Sequence, residues 1–132
     1  MKSSWRTHKG VPYFYADYSN YGRNIEGLRD ETDFADSHIE QSPPNSALVL
    51  VDIRNTVTST DVVSLFKEST ARTKGHVAKT AIVGVTGVQR ILAQAVARFS
   101  REPLHLFDET EEAMDWLVGS EEHGGVAMKP GS

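Results

Sequence analysis

The stretch from Thr80 to Ser100 constrains the fold of this chain more than any other segment. It opens with an apolar run, Thr80–Thr86, that is rich in β-branched residues and too short for a helix, which is typical of a strand buried on both faces. Gly87 ends the run, and apolar residues then recur at helical spacing. These residues are Val88, Ile91, Leu92, Ala95, Val96 and Phe99. A buried strand, a glycine turn and an amphipathic helix predict the first two parts of a βαβ unit.

The rest of the chain shows the same alternation of strand-like and helix-like segments. The other predicted strands are Val11–Tyr18, Ala47–Ile53 and Leu104–Phe107. Each is followed by apolar residues at helical spacing, whereas residues 1–11 are polar and are predicted to be irregular. Strands that alternate with helices predict an α/β fold with a small, mostly parallel, four-stranded sheet.

The order of the strands follows from their composition. We expect the first and third strands, Val11–Tyr18 and Thr80–Thr86, to be central, because a central strand is buried on both faces. This predicts the strand order 2-1-3-4. Since crossovers between parallel strands are right-handed, we expect helices one and four on one face of the sheet and helices two and three on the other.

Length and composition set the domain organisation and the compartment. The 132 residues predict a single domain over residues 1–118 and a flexible C-terminal tail over residues 119–132, where four glycines and a proline occur. The chain has no cysteine, no apolar run long enough for a transmembrane segment and no apolar core of a signal peptide near Met1. These features predict a cytoplasmic protein. The net charge of −4 argues against a nucleic-acid partner.

Several segments resemble a STAS-like domain of the SpoIIAA-like kind, the domain of anti-sigma-factor antagonists. The stretch KTAIVGVTGVQRILAQAVARFSREPLHLFDETEEAMDWL is similar to the closing half of such a domain, and HKGVPYFYADYSN and SALVLVDIRN are similar to earlier parts. The resemblance covers His8 to Val118. It implies a small sheet surrounded by helices and a regulatory or ligand-binding module, generally without catalysis.

The resemblance also raises the possibility of a phosphorylation switch. Anti-sigma-factor antagonists carry a phosphorylatable serine in an Asp-Ser-Ser-Gly-like turn after the strand equivalent to Ala47–Ile53. This chain lacks that motif, although the hydroxyl groups of Thr58, Ser59 and Thr60 lie nearby in the sequence. A regulator switched by phosphorylation at one of these three residues is therefore an alternative function.

A small-molecule site is predicted at the carboxyl ends of the strands, where open α/β sheets bind ligands. Helix N-termini favour anions, and an arginine one turn into the helix suits a carboxylate or phosphate. The candidate ligand-binding residues are Asp17, Ser19, Asn20, Thr86, Gly87 and Arg90. They predict a small anionic or amphiphilic ligand.

An enzyme is the rival interpretation. Asp17, Asp52 and Thr86 are candidates for a small hydrolase or transferase, but the chain has neither a nucleophile elbow nor a P-loop lysine. The five histidines are scattered, so we expect no metal site, and no motif indicates a cofactor.

A protein partner or self-association is also expected, because charge is unevenly distributed. Between Arg54 and Arg101 eight basic residues accompany two acidic ones, while the flanking helical stretches are acidic. The sequence therefore predicts a non-enzymatic module that binds a partner protein, a second copy or a small ligand.

Overall fold

The computed structural model of the protein describes residues 1–85, 104–119 and 126–128. Its strands are β1 (Ser4–His8), β2 (Val11–Asp17), β3 (Ala47–Asp52), β4 (Val77–Val83), β5 (Leu104–Phe107) and β6 (Val126–Met128). The helices of this part are α1 (Ile25–Ile39), α2 (Thr60–Thr73) and α3 (Thr110–Leu117). The four predicted strands correspond to β2, β3, β4 and β5. The helix predicted after Gly87 lies outside the described residues.

The strands form one mixed sheet in the order β1-β2-β3-β4-β5-β6. The three inner pairs, from β2–β3 to β4–β5, are parallel, and the two outer pairs are antiparallel. The predicted mostly parallel four-stranded sheet with order 2-1-3-4 is therefore wrong. β3, not β2, lies beside β4, because β1 already occupies the other side of β2.

β1 is the element that changes the order, and it lies in the segment that was predicted to be irregular. It forms a hairpin with β2 in which His8 pairs with Val11. The two loop residues, Lys9 and Gly10, both have positive φ angles of 51° and 79°. This is the backbone of a type I′ turn, whose twist matches that of the two strands.

The two faces of the sheet carry different helices. α1 and α2 pack on one face, and α3 packs on the other. The prediction that the first and last helices share a face is wrong. With β2, β3 and β4 in sequential order, both right-handed crossovers run in the same direction and place α1 and α2 on the same face.

The alternation of side chains along the strands supplies two hydrophobic cores. Phe14, Ala16, Val49, Ile82 and Leu106 point toward α1 and α2. The strand residues that alternate with them point toward α3, where Trp116 is buried with 6% of its surface exposed. The alternation places most apolar residues of the inner strands in one of the two cores.

The C-terminal part of the sheet overlaps the predicted tail. Val126–Met128 pairs antiparallel with β5, so these three residues belong to the sheet. The division into a domain over residues 1–118 and a flexible tail stays a prediction in other respects. Among the described residues, no helix combines the length and the apolar character that crossing a membrane requires.

Candidate functional site

The end of β2 brings together three of the residues predicted to bind a ligand. The Asp17 carboxylate accepts hydrogen bonds from the backbone amide and the hydroxyl of Ser19 and lies 3.6 Å from the Lys2 ammonium. The side chain of Asn20 donates to the Ser19 hydroxyl and accepts from Asn55. The side chains at this strand end are therefore hydrogen-bonded or ion-paired with neighbouring residues. Thr86, Gly87 and Arg90 lie outside the described residues, so ligand binding by the full set stays a prediction.

Asp52 lies beside Asp17 at the end of β3 and is fixed by its neighbours. Its carboxylate is 3% exposed and accepts hydrogen bonds from the Tyr15 hydroxyl at 2.6 Å and from the Arg54 guanidinium at 2.8 and 3.0 Å. Burial raises the pKa of Asp52, but these hydrogen bonds outweigh it and hold the pKa below its usual range. Burial also raises the pKa of Tyr15 to about 12. An ionised carboxylate held in this way suits an anchor better than a general acid.

A different candidate site lies on the face of the sheet that carries α1 and α2, where a cavity of about 90 Å³ separates α2 from the sheet. Its apolar walls include Val49, Val51 and Ile82 of the sheet and Val63 and Phe66 of α2. The cavity is smaller than the apolar cavity of roughly 150 Å³ that accepts benzene. Its size therefore restricts a ligand, or the part of a ligand inside it, to a few carbon atoms.

Part of the lining of this cavity is polar. Asp36 on α1 is 4% exposed, and its carboxylate accepts a hydrogen bond of 2.7 Å from the Ser69 hydroxyl on α2. Burial raises the pKa of Asp36 to about 7, against the opposing effects of Ser69 and Arg72. Tyr18 lines the same cavity, and burial raises the pKa of its phenol well above the usual value, so the phenol keeps its proton. Apolar walls that end in a few buried polar groups are typical of small-molecule sites.

Asp36 and Ser69 also line a second, polar groove of about 300 Å³ between α1 and α2. Arg72 crosses this groove, with its guanidinium 2.7 Å from the Asp33 carboxylate and 2.9 Å from that of Glu40. The acidic side chains of α1 and a basic side chain of α2 thus meet on one face of the sheet. Asp36 and Ser69 stand between the groove and the apolar cavity.

Asp36 was not predicted as a site residue, because it lies in an acidic stretch of the first helix. A signal was available, because position 36 lies four residues after Thr32 and eight after Leu28, on the buried side of the helix. An acid on a buried stripe is unusual and indicates a special environment. The cavity itself depends on side-chain packing, and no sequence pattern predicts it.

The three hydroxyl groups of the phosphorylation alternative lie at the start of α2. Ser59 is the N-cap residue, and its hydroxyl accepts a hydrogen bond of 3.2 Å from the Val62 amide. Ser59 and Thr60 are exposed, whereas Thr58 is half-buried and lines the apolar cavity. Phosphorylation of any of them stays a prediction.

One group of side chains has the chemistry of metal ligands. His8 Nε2 lies 2.7 Å from Asp115 Oδ1 and 4.0 Å from Glu111 Oε2. The Lys9 ammonium, however, lies 2.9 Å from the same Asp115 oxygen and supplies a positive charge there. The arrangement is an ion-pair network that ties the β1–β2 hairpin to α3.

The fold is similar to that of a known structure. No protein-family model and no curated protein matches the chain. A solved structure of an uncharacterised protein from the DUF3478 family with a SpoIIAA-like fold, from Shewanella loihica PV-4, is similar with a TM-score of 0.65 and 15% sequence identity. The similarity covers 87% of this chain and 91% of that protein. The predicted SpoIIAA-like fold is thus confirmed.

Proposed function

We propose that this protein is a non-enzymatic binding module that holds a small amphiphilic ligand in the apolar cavity between α2 and the sheet. The observation that carries the proposal is a cavity with mainly apolar walls whose lining includes the polar groups of Asp36, Ser69 and Tyr18. Such a site matches an amphiphile, because apolar atoms can fill it while a polar group reaches the buried carboxyl. The strand-end carboxylates Asp17 and Asp52, in contrast, are bound by neighbouring side chains.

The position of the cavity supports a regulatory role. α2 forms one wall, so a ligand that fills the cavity contacts this helix directly. A ligand can shift a conformational equilibrium only through its differential affinity for two states, and a helix that forms the wall of its site provides that difference. We expect the partner protein or second copy predicted from the sequence to bind the outer surface of α2.

The proposal predicts that butan-1-ol, a small neutral amphiphile, binds in the cavity. In a ¹⁵N–¹H NMR titration, the amide resonances of residues 49–53 and 62–70 should shift and saturate. Val63→Phe, which fills the cavity from α2, should reduce these shifts severalfold. Val57→Phe is the matched control, because Val57 is 40% exposed and outside the cavity, and it should leave the shifts unchanged.

Shifts that are absent, or equally large in the Val63→Phe variant, would show that the cavity does not bind amphiphiles. Native mass spectrometry of the purified protein provides an independent measurement, because it detects a retained ligand and the number of subunits together. The expected result is a bound small molecule in the wild-type protein that is missing from a folded Val63→Phe variant.

A phosphorylation-switched regulator is the second candidate, favoured by the exposed hydroxyl of Ser59 at the start of the same helix. A phosphate group is favoured at a helix N-terminus by the helix dipole and by free amide groups. Phosphopeptide mass spectrometry of the protein isolated from its own cells should then find phosphate on Ser59 or Thr60, and not on half-buried Thr58. A protein that is unmodified in every growth phase would contradict this candidate.

A further inference from the structure

Within the described residues the Asp36 carboxyl makes no ion pair, although the charge of Arg72 acts on it from a greater distance. Its hydrogen-bond donor there is the neutral Ser69 hydroxyl, although a carboxylate has about four acceptor positions. The guanidinium of Arg72 is directed to Asp33 and Glu40. Burying a carboxylate is costly unless it is paired, so the site favours a ligand that brings a positive charge.

The groove outside Asp36 has the same preference. Its lining contains four carboxylates, those of Asp30, Asp33, Asp36 and Glu68, against the guanidiniums of Arg29 and Arg72. A cleft with an excess of one charge raises the local concentration of ions of the opposite sign. The groove therefore attracts cations to Asp36 and repels anions.

We propose that the ligand of the cavity is a small aliphatic amine, whose ammonium group pairs with Asp36 while its carbon atoms fill the apolar cavity. This inference rests on the proposed function and names the class of ligand. The cavity of about 90 Å³ limits the apolar part to a few carbon atoms, and Ser69 and Tyr18 line the cavity together with Asp36. The sequence predicts an anionic or an amphiphilic ligand. The proposed ligand is an amphiphile, but it carries a positive charge and not a negative one.

Three probes with the same carbon chain and different head groups test the proposal: butylamine, butan-1-ol and butanoate. The titrations are followed by ¹⁵N–¹H NMR at about pH 8.5, where an alkylamine is still protonated and Asp36 is ionised. A hydrogen bond to a charged group predicts that butylamine binds on the order of tenfold to a hundredfold more tightly than butanoate. Butan-1-ol should have an intermediate affinity.

Asp36→Asn removes the charge with little change of shape, and it should abolish the preference for butylamine over butanoate while leaving butan-1-ol binding within about twofold. Asp30→Asn makes the same chemical change at an exposed carboxylate of the groove and should preserve the preference. Ser69→Ala, which keeps the carboxylate, should also preserve it, and the three NMR spectra show whether each variant is folded.

The outcomes separate this inference from the proposed function. Equal binding of the three probes, or a preference that survives in a folded Asp36→Asn variant, overturns the amine proposal and leaves the binding function in place. Failure of butan-1-ol and of both other probes to shift the resonances of the cavity overturns both. A preference for butanoate overturns the assignment of Asp36 as the site of a cation.

Discussion

As the pH rises from about 4 to about 8, the wild-type protein should lose on the order of 4 kcal/mol of unfolding free energy relative to an Asp36→Asn variant. Burial raises the pKa of Asp36 from near 3.8 to about 7. Between these values the folded protein keeps a proton on Asp36 that the unfolded chain has released. Folding stability then falls by about 1.4 kcal/mol for each unit of pH and becomes constant above about pH 7.

The comparison of the two proteins isolates Asp36 from the groups that face it. These groups are Asp33 of α1, Glu40 directly after α1, Ser69 and Arg72 of α2, and Tyr18. Both proteins contain all of them, so their titration cancels when the free energies of urea unfolding are subtracted. Asp30→Asn is the control and should give a curve parallel to the wild type, whereas a parallel curve for Asp36→Asn would refute the prediction.

Replacing Glu31 with alanine should lower the free energy of unfolding by about 3 kcal/mol or more. The Glu31 side chain is fully buried, and its carboxylate accepts hydrogen bonds from the Ser3 amide at 2.9 Å, the Lys2 amide at 3.2 Å and the Tyr21 hydroxyl at 2.6 Å. Burial raises the pKa of Glu31, but these bonds outweigh it and hold the pKa below its usual range. Alanine leaves three donors without their acceptor: the buried Ser3 amide at a cost of about 1–3 kcal/mol, and the part-buried Lys2 amide and Tyr21 hydroxyl, which add to it.

Urea unfolding at about pH 7 measures this loss, and Glu26→Ala on the exposed side of the same helix is the control, with an expected effect below about 0.5 kcal/mol. Hydrogen exchange should also show faster exchange of the β1 amides in the Glu31→Ala variant, because the carboxylate holds the chain just before β1. A loss below about 1 kcal/mol would mean that water replaces the carboxylate at little cost.

The sequence predicted individual elements better than their arrangement. β2, β3, β4 and β5 are visible because apolar or aromatic residues dominate each of them. Their order is not visible, because three strands that are all buried on both faces are equally suited to a central position. β1 was missed because its sequence, SWRTH, has a single large apolar residue, Trp5, as an edge strand in water permits.

The site predicted at the carboxyl ends of the strands is only partly described, and the apolar cavity was not predicted. Asp17 and Ser19 do lie at the end of β2, but no sequence pattern indicates that Lys2 reaches them from the N-terminal segment. The helical position of Asp36 indicates burial, but its contact with Ser69 follows only from the packing of α1 against α2. Residues that line a cavity come from several elements, so their proximity follows from tertiary structure alone.

The spatial order of the strands is identical to their order along the chain. During synthesis, when residues emerge at roughly 5–20 per second, each new strand therefore finds its only earlier neighbour already made. The β1–β2 hairpin, with its two-residue loop, can close within microseconds of emerging. β3, β4 and β5 can then be added one at a time at a single growing edge. This protein can thus build its sheet on the ribosome without opening any strand pair that has already formed.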